Sequence, residues 1–342
     1  MTDRARIPRR STLVGLVVGL PLSALFLWLA FRDADVAEVW SVVTRANVGL
    51  LALALAALAV VYVGQAVRWH AIARTPQVST ARFGEMVVSS IALNNVLPGR
   101  VGDLLRARWL QVAARIPGGR ALATVFVDRA FDVFALVVFL AVSLPFVSSA
   151  EWLRRIAIGG LVFLVGVGLV LLAARAYTRH RTRERRGHRG LLRRIARDTV
   201  EALADPLGRM RAVGLAGLSL GIWTMWALAA WFVARAVGVE LSPIEALFVT
   251  AVINLGVAIP SSPGFVGTYQ WLGVSALALL DVGTEEALAF AILMHAVWYV
   301  PTTLFGGGLL LRRMFSTIGH SSVRPAPTFG ADLHQTAAHE GP

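Results

Sequence analysis

Residues 48–67 read VGLLALALAALAVVYVGQAV, a run of 20 positions without a charged side chain. A helix needs about 20 consecutive apolar residues to cross the hydrocarbon core of a bilayer. The run ends at Arg68 and Trp69, two residue types that favour the boundary between hydrocarbon and water. This segment is therefore predicted to be a transmembrane helix.

The composition of the whole chain indicates an integral membrane protein. Of its 342 residues, 56% are hydrophobic and only 15% are charged, and the mean hydropathy is +0.67. Soluble domains carry roughly 25% charged residues, because their surfaces must stay hydrated. We predict an all-α, polytopic membrane helical bundle. Its other full spans are predicted at residues 12–31, 121–142, 156–174, 213–237 and 287–311.

The charged residues and the missing residue types exclude several function classes. The chain has no cysteine, which excludes disulfides, thiol nucleophiles and cysteine-bound metals. Its net charge of +13 comes from arginine alone, because it has no lysine. We attribute this charge to loops beside anionic lipid headgroups and not to nucleic acid, for which there is no motif. No catalytic residue, metal site or cofactor is predicted. No nucleotide-binding loop is present, so any transport is passive or coupled to an ion gradient.

The distribution of arginine predicts the orientation in the membrane. Residues 175–211 form the longest polar stretch, and twelve of these 37 residues are arginine. By the positive-inside rule, this loop and the basic N-terminus at 1–11 lie in the cytoplasm. The transmembrane domain is predicted at 12–313, followed by a disordered cytoplasmic tail at 314–342. Both termini are expected on the cytoplasmic side of the cell inner (plasma) membrane.

Two further apolar segments are too irregular to be simple spans. Residues 83–97 run into Pro98-Gly99-Arg100, and several more arginines follow. Residues 244–259 run into PSSPG at 260–264. A re-entrant hairpin enters the membrane, breaks and returns to the same side, so it keeps the arginines after the first break in the cytoplasm. Backbone exposed at that depth is tolerated only within protein or beside a water-filled cavity. A kinked full helix is the alternative.

The two irregular segments also resemble each other. Residues 86–98 read MVVSSIALNNVLP, and residues 248–260 read FVTAVINLGVAIP. Each has a glutamate just upstream, an asparagine near the break and a proline that closes the same interval. The predicted topology opens the first unit from the cytoplasm and the second from outside. Residues 83–145 and 244–311 are therefore predicted to be halves of an inverted-topology repeat, which many secondary transporters contain.

These motifs carry a resemblance to a known family. NNVLPGRVGDLLR at 94–106 and IPSSPGFVG at 259–267 resemble its two proline-glycine signatures, and DRAFD at 128–132 also fits. From about residue 13 to 313, the chain resembles the lysylphosphatidylglycerol synthase transmembrane, or flippase-like, family. The resemblance implies that the protein moves lipid across the bilayer. The soluble domain that transfers an amino acid is not expected, because the sequence stops at Pro342. Asp103 stands where the family usually has glutamate.

Ionisable residues inside predicted membrane segments are the first candidates for a substrate site. Asp128 and Asp132 are four residues apart and share one helix face. Arg129 lies about 100° around the helix from Asp128, so it is positioned to pair with either acid or with Asp103. A lipid headgroup needs such polar groups while it crosses hydrocarbon. A purely structural ion cluster is the alternative.

The two breaks supply the other candidates. Arg100 and Arg106 are the preferred phosphate ligands, because a guanidinium matches phosphate oxygens in pairs. Simple anchoring to headgroups is the alternative for both. Ser261, Ser262 and the amides near Gly264 are candidates for an anion-accepting turn, or for a purely structural break. The complete predicted substrate-binding set is Asn94, Arg100, Asp103, Arg106, Asp128, Arg129, Asp132, Asn254, Ser261, Ser262 and Gly264.

Three functions are compatible with these features. The leading hypothesis is a lipid translocator for a phosphate-bearing lipid, such as an anionic phospholipid or a polyprenyl-linked lipid. The second is a membrane-embedded enzyme, or enzyme subunit, of lipid or polyprenyl-glycan modification. The third is a scaffold that docks a separate soluble transferase. The expected partners are therefore the lipid substrate, anionic lipid headgroups and, for the third function, the transferase. We expect no enzymatic activity of the chain itself.

Overall fold

All regular structure in the described part of the chain is helical, which confirms the predicted all-α membrane bundle. The computed structural model describes residues 9–97, 100–147, 206–257 and 263–320. A short 3-10 turn, Pro263–Phe265, follows the second break. The helices are α1 Arg9–Phe31, α2 Val36–Arg45, α3 Val48–Ala73, α4 Thr80–Val96, α5 Val101–Ala114, α6 Gly118–Val147, α7 Pro206–Ala236, α8 Pro243–Gly256, α9 Thr268–Ala278 and α10 Thr284–His320.

Four helices of the described residues are long and apolar enough to cross a membrane, so the chain is a multi-pass membrane protein. These segments are Val48–Ala73, Gly118–Val147, Met210–Ala236 and Thr284–Arg313, which lie in α3, α6, α7 and α10.

Other predicted segments are only partly covered. The predicted first span at 12–31 lies within α1. The predicted span at 156–174 and most of the loop at 175–211 lie outside the described residues. Helix α10 continues to His320, so residues 314–320, predicted to begin the tail, are helical. The rest of the predicted tail is outside the described residues.

The two irregular segments begin in the same way and end before a proline. Ser79 caps α4 by accepting a hydrogen bond from the backbone N–H of Arg82 at 3.3 Å. Ser242 caps α8 in a reciprocal capping box with Glu245. Such caps satisfy amides that have no partner within the helix. Helix α4 ends two residues before Pro98, and a proline cannot continue the hydrogen-bonding pattern of a helix.

The helices around the two breaks pack reciprocally. Helix α4 packs against its successor α5 and against α10, the last helix of the second unit. Helix α8 packs against its successor α9 and against α6, the last helix of the first unit. Each broken helix thus contacts the long helix that follows the other break. This exchange brings the two breaks into one region of the molecule.

Helix α3 closes one side of this region by packing closely against α7. The contact relies on small residues, because a Cβ added at Gly64 would lie 2.7 Å from Ile222 Cγ1. Small side chains let helices approach closely in membranes, where the hydrophobic effect does not drive helix association. The close packing holds the last turns of α3, which carry Arg68 and Trp69, beside α7.

Candidate functional site

Arg68 is the centre of a buried polar contact between α3 and α6. Its Nε donates to Asp128 Oδ1 at 2.9 Å, and its Nη2 donates to Asp132 Oδ1 at 2.7 Å. The side chains of Arg68 and Asp128 are only 0% and 3% exposed. A single charge at the centre of a membrane costs about 2.5–3.5 kcal/mol on insertion scales, so burial of these groups requires pairing.

Two more arginines and one more aspartate extend this contact into a closed ring. Arg106 lies 3.1 Å from Asp128 and 3.3 Å from Asp103, and Arg129 lies 2.9 Å from Asp103 and 3.0 Å from Asp132. Each guanidinium contacts two carboxylates, and each carboxylate contacts two guanidiniums. We call this arrangement the ion ring; its members in order are Arg68, Asp128, Arg106, Asp103, Arg129 and Asp132.

The ion ring is closed on one side by α7 and by a tryptophan of α3. Ser219 accepts a hydrogen bond from Arg68 Nη1 at 2.9 Å, and Trp223 Nε1 donates to Asp132 Oδ1 at 3.0 Å. The Arg106 guanidinium lies over the Trp69 ring, with Cζ 4.8 Å from the ring centroid. Such a cation–π contact stabilises a desolvated guanidinium. These contacts separate the ring from its surroundings on this side.

The other side of the ion ring is more open. The side chain of Arg129 is 37% exposed and that of Asp103 is 16% exposed, against 1% for Arg106. Both exposed members belong to the edge that faces the start of α5. The ring therefore exposes one arginine-aspartate pair, Arg129 and Asp103, at this edge.

Arg100 lies at this open edge and connects the two breaks. Its backbone is left-handed, with φ 53°, and its side chain is exposed. Its Nη2 donates to the carbonyl oxygen of Val257 at 3.1 Å, and its Cζ lies 5.9 Å from the centroid of the Phe265 ring. Val257 follows α8 and Phe265 follows the second break. Among the described residues, no carboxylate lies within ion-pair distance of Arg100.

The predicted polar residues at the breaks have distinct positions. Asn94 Oδ1 accepts a hydrogen bond from the Gly102 amide at 2.7 Å, which ties α4 to the start of α5. Asn254 Nδ2 donates to the Thr250 carbonyl of its own helix at 2.8 Å. Gly264 has φ 69°, and a Cβ added there would lie 3.0 Å from the Asn95 carbonyl oxygen. The predicted ligands Ser261 and Ser262, with both break prolines, lie outside the described residues.

A second set of hydrogen-bonded side chains lies next to the second break. Gln270 Oε1 accepts a hydrogen bond from the Gly267 amide at 2.8 Å, and Gln270 Nε2 lies 2.8 Å from His295 Nδ1. The His295 ring stacks on Tyr269 and Trp298, with centroid distances of 4.8 Å and 5.2 Å. These contacts support the turn after the break through packing and hydrogen bonding.

The sequence interpretation did not include Arg68 in the site. The available signal was the arginine at the end of an apolar run together with the carboxylates at 128 and 132. A buried arginine needs acidic partners, and an acid pair on one helix face can provide them. Ser219 and Trp223 were also missed. A serine or tryptophan in a membrane helix is common in packing, so neither carries a specific signal.

Comparison with known proteins finds one matching family and several related sequences. Residues 13–306 match the family described as lysylphosphatidylglycerol synthase TM region. The glycosyltransferase AglD of Haloferax volcanii is 30% identical over 91% of this chain, which spans 56% of the length of AglD. UPF0104 membrane protein PH1989 of Pyrococcus horikoshii is 23% identical over 87% of this chain and 96% of its own length. UPF0104 membrane protein MJ1078 of Methanocaldococcus jannaschii is 22% identical, over 63% of this chain and 91% of its own length.

Proposed function

Because this chain belongs to the lysylphosphatidylglycerol synthase transmembrane family, we propose that it is a lipid translocator that moves a phosphate-bearing lipid between leaflets. The substrate is an anionic phospholipid or a polyprenyl-linked lipid. The observation that carries the proposal is the exposed guanidinium of Arg100. It lies where the two broken segments meet and has no carboxylate partner among the described residues.

The start of α5 offers further attraction for a phosphate. Arg100 caps this helix without a side-chain hydrogen bond, and of the first-turn amides that of Gly102 donates to Asn94 Oδ1. The helix macrodipole adds partial positive charge at the same end. Discontinuous helices in secondary transporters direct their half-helix N-termini at anionic substrate groups. The backbone and the guanidinium therefore favour an anion at one location.

The reciprocal packing of α4 on α10 and α8 on α6 supports an inverted repeat of re-entrant hairpins. In this proposal the first hairpin opens from the cytoplasm and the second from outside, and both reach the same site. Both termini are cytoplasmic, and the protein resides in the plasma membrane. Glu38→Cys on α2 and Pro76→Cys after α3 should therefore react with a membrane-impermeant thiol reagent from opposite sides. Labelling of both from one side would contradict this topology.

Lipid movement is tested with the purified protein in vesicles that contain fluorescent phosphatidylglycerol and an impermeant quencher. The wild-type protein should expose inner-leaflet lipid to the quencher. Arg100→Ala should slow this process about tenfold or more, because a charge-assisted hydrogen bond contributes about 1.5–3 kcal/mol. Arg100→Lys should restore part of the rate, since an ammonium offers a point charge without the planar fork.

Arg108→Ala provides the matched control, because Arg108 is an exposed arginine of the same helix. This variant should move lipid at the wild-type rate. Equal rates for Arg100→Ala and the wild type would remove Arg100 from the mechanism. If the wild-type protein moves no lipid, with or without an ion gradient, the proposed translocator function is rejected.

The similarity to AglD favours one second candidate, a membrane subunit that presents a lipid-linked sugar to a soluble transferase. In this case the chain binds the lipid without moving it between leaflets. The vesicle assay separates the two functions directly. Lipid binding without exposure to the quencher would favour the subunit.

A further inference from the structure

We propose that the site selects a headgroup with one negative charge, a phosphodiester, over a headgroup with two, and that Asp103 determines this selectivity. The inference rests on the proposed function, because it specifies which phosphate-bearing lipid the Arg100 site accepts. It follows from the charge balance of the residues around the two breaks.

The ion ring contributes no net charge. It contains three guanidiniums and three carboxylates, each with two oppositely charged neighbours. Arg100 is the remaining charged group of the described residues at the breaks, and it donates only to a neutral carbonyl oxygen. The residues of the breaks that lie outside the description are Pro-Gly at 98–99 and AIPSS at 258–262, none of which is ionisable. The net charge at the site is therefore +1.

One positive charge matches a phosphodiester, which carries a single negative charge at neutral pH. A phosphomonoester has a second pKa of about 6 and therefore carries nearly two negative charges at pH 7. Arg129, Asp103 and Asp132 all act electrostatically on the Arg100 guanidinium. The two aspartates would repel a second negative charge and Arg129 would attract it, and the ion ring to which they belong supplies no excess positive charge to match it. An unmatched charge about 4 Å from its neighbours weakens binding by about tenfold or more.

Asp103 controls this balance because it is the most exposed carboxylate of the ion ring. Its side chain is 16% exposed, against 3% for Asp128 and 7% for Asp132. Its two partners, Arg106 and Arg129, each contact a second carboxylate. Asp103→Asn therefore adds one positive charge to the open edge while both guanidiniums keep an acidic partner.

The selectivity is measured as lipid binding, by native mass spectrometry of the detergent-purified chain with equimolar phosphatidylglycerol and phosphatidic acid at about pH 8. At this pH a phosphomonoester carries two charges. For the wild type, the phosphatidylglycerol adduct should exceed the phosphatidic acid adduct about tenfold. In Asp103→Asn, the ratio should shift toward phosphatidic acid by about the same factor. Arg108→Ala, on the same helix, should keep the wild-type ratio.

A second variant keeps the test decisive if Asp103→Asn does not fold. Asn94→Asp preserves the oxygen that accepts the Gly102 amide, and it adds a negative charge beside the start of α5. Its phosphatidylglycerol adduct should fall about tenfold, because the site then has no net positive charge.

Three results would overturn the proposal: equal binding of the two lipids by the wild type, a wild-type ratio in folded Asp103→Asn, or undiminished binding in Asn94→Asp. The binding measurement is independent of lipid movement. Selective binding by a protein that is inactive in vesicles would therefore reject translocation and leave the charge selectivity intact. Lipid movement without selective binding would reject the charge selectivity and leave translocation intact.

Discussion

Replacement of Arg68 by methionine tests whether the ion ring stabilises the bundle. Arg68 is fully buried and donates to Asp128 at 2.9 Å, to Asp132 at 2.7 Å and to Ser219 at 2.9 Å. Methionine has a similar length but supplies neither charge nor donor, so Asp128 and Asp132 each keep only one guanidinium. Removal of one partner from a buried ion pair destabilises a protein by about 3–5 kcal/mol. We expect Arg68→Met to lower the free energy of unfolding by an amount in this range.

The measurement is unfolding of the detergent-solubilised protein in mixed micelles with a rising fraction of denaturing detergent, followed by tryptophan fluorescence. Arg82→Met is the matched control, because Arg82 pairs with Glu85 but its side chain is 48% exposed. An exposed ion pair contributes about 0–1 kcal/mol. If Arg68→Met were no less stable than Arg82→Met, the ion ring would not hold the bundle together.

A double variant separates the lost charge balance from the lost packing. Arg68→Met combined with Asp128→Asn removes one charge of each sign, and the four ring members that remain are again neutral. We expect the double variant to be more stable than the sum of the single effects predicts, by about 0.5–3 kcal/mol. Additive effects would show that the two residues act independently.

Two further predictions concern the packing around the site. Gly102→Ala should destabilise the bundle by about 1–3 kcal/mol in the same unfolding assay, because a Cβ there would lie 2.0 Å from the Ser90 carbonyl oxygen. Gly214→Ala should have little effect, since no atom of the described residues lies within 4 Å of its Cβ position, and equal effects of the two variants would refute the close contact. Trp69→Phe should lower the free energy of unfolding by about 1 kcal/mol, because it removes the 3.0 Å hydrogen bond from Trp69 Nε1 to Thr124 Oγ1. An unchanged unfolding midpoint would show that this bond contributes nothing.

The membrane-spanning helices could be predicted because the bilayer imposes a minimum apolar length. The run at 48–67 has this length in its sequence alone, whatever the tertiary contacts. The shared face of Asp128 and Asp132 followed from helix periodicity. Arg129 was expected to pair with either acid or with Asp103, and it contacts Asp132 and Asp103. These predictions depend on local geometry, which the sequence encodes directly.

The contacts of Arg68 and Arg100 could not be predicted in the same way. Arg68 is separated by 60 residues from Asp128, and Arg100 by 157 residues from Val257. Only the packing of α3, α6 and α8 brings these groups together. Asn254 stays a predicted ligand. Its Nδ2 donates to the Thr250 carbonyl one turn earlier, a contact within its own helix that its position beside a break does not reveal.

The ion ring imposes an order on biosynthesis. Arg68 leaves the ribosome 60 residues before Asp128, so α3 enters the membrane before the acid that neutralises its arginine exists. During this interval the long arginine side chain must extend to the interface, where its charge remains hydrated. The arginine can be enclosed only after α6 has been synthesised and has entered the bilayer. Membrane insertion of the first helices and assembly of the bundle are therefore separate events in time, and the second depends on a carboxylate that arrives last.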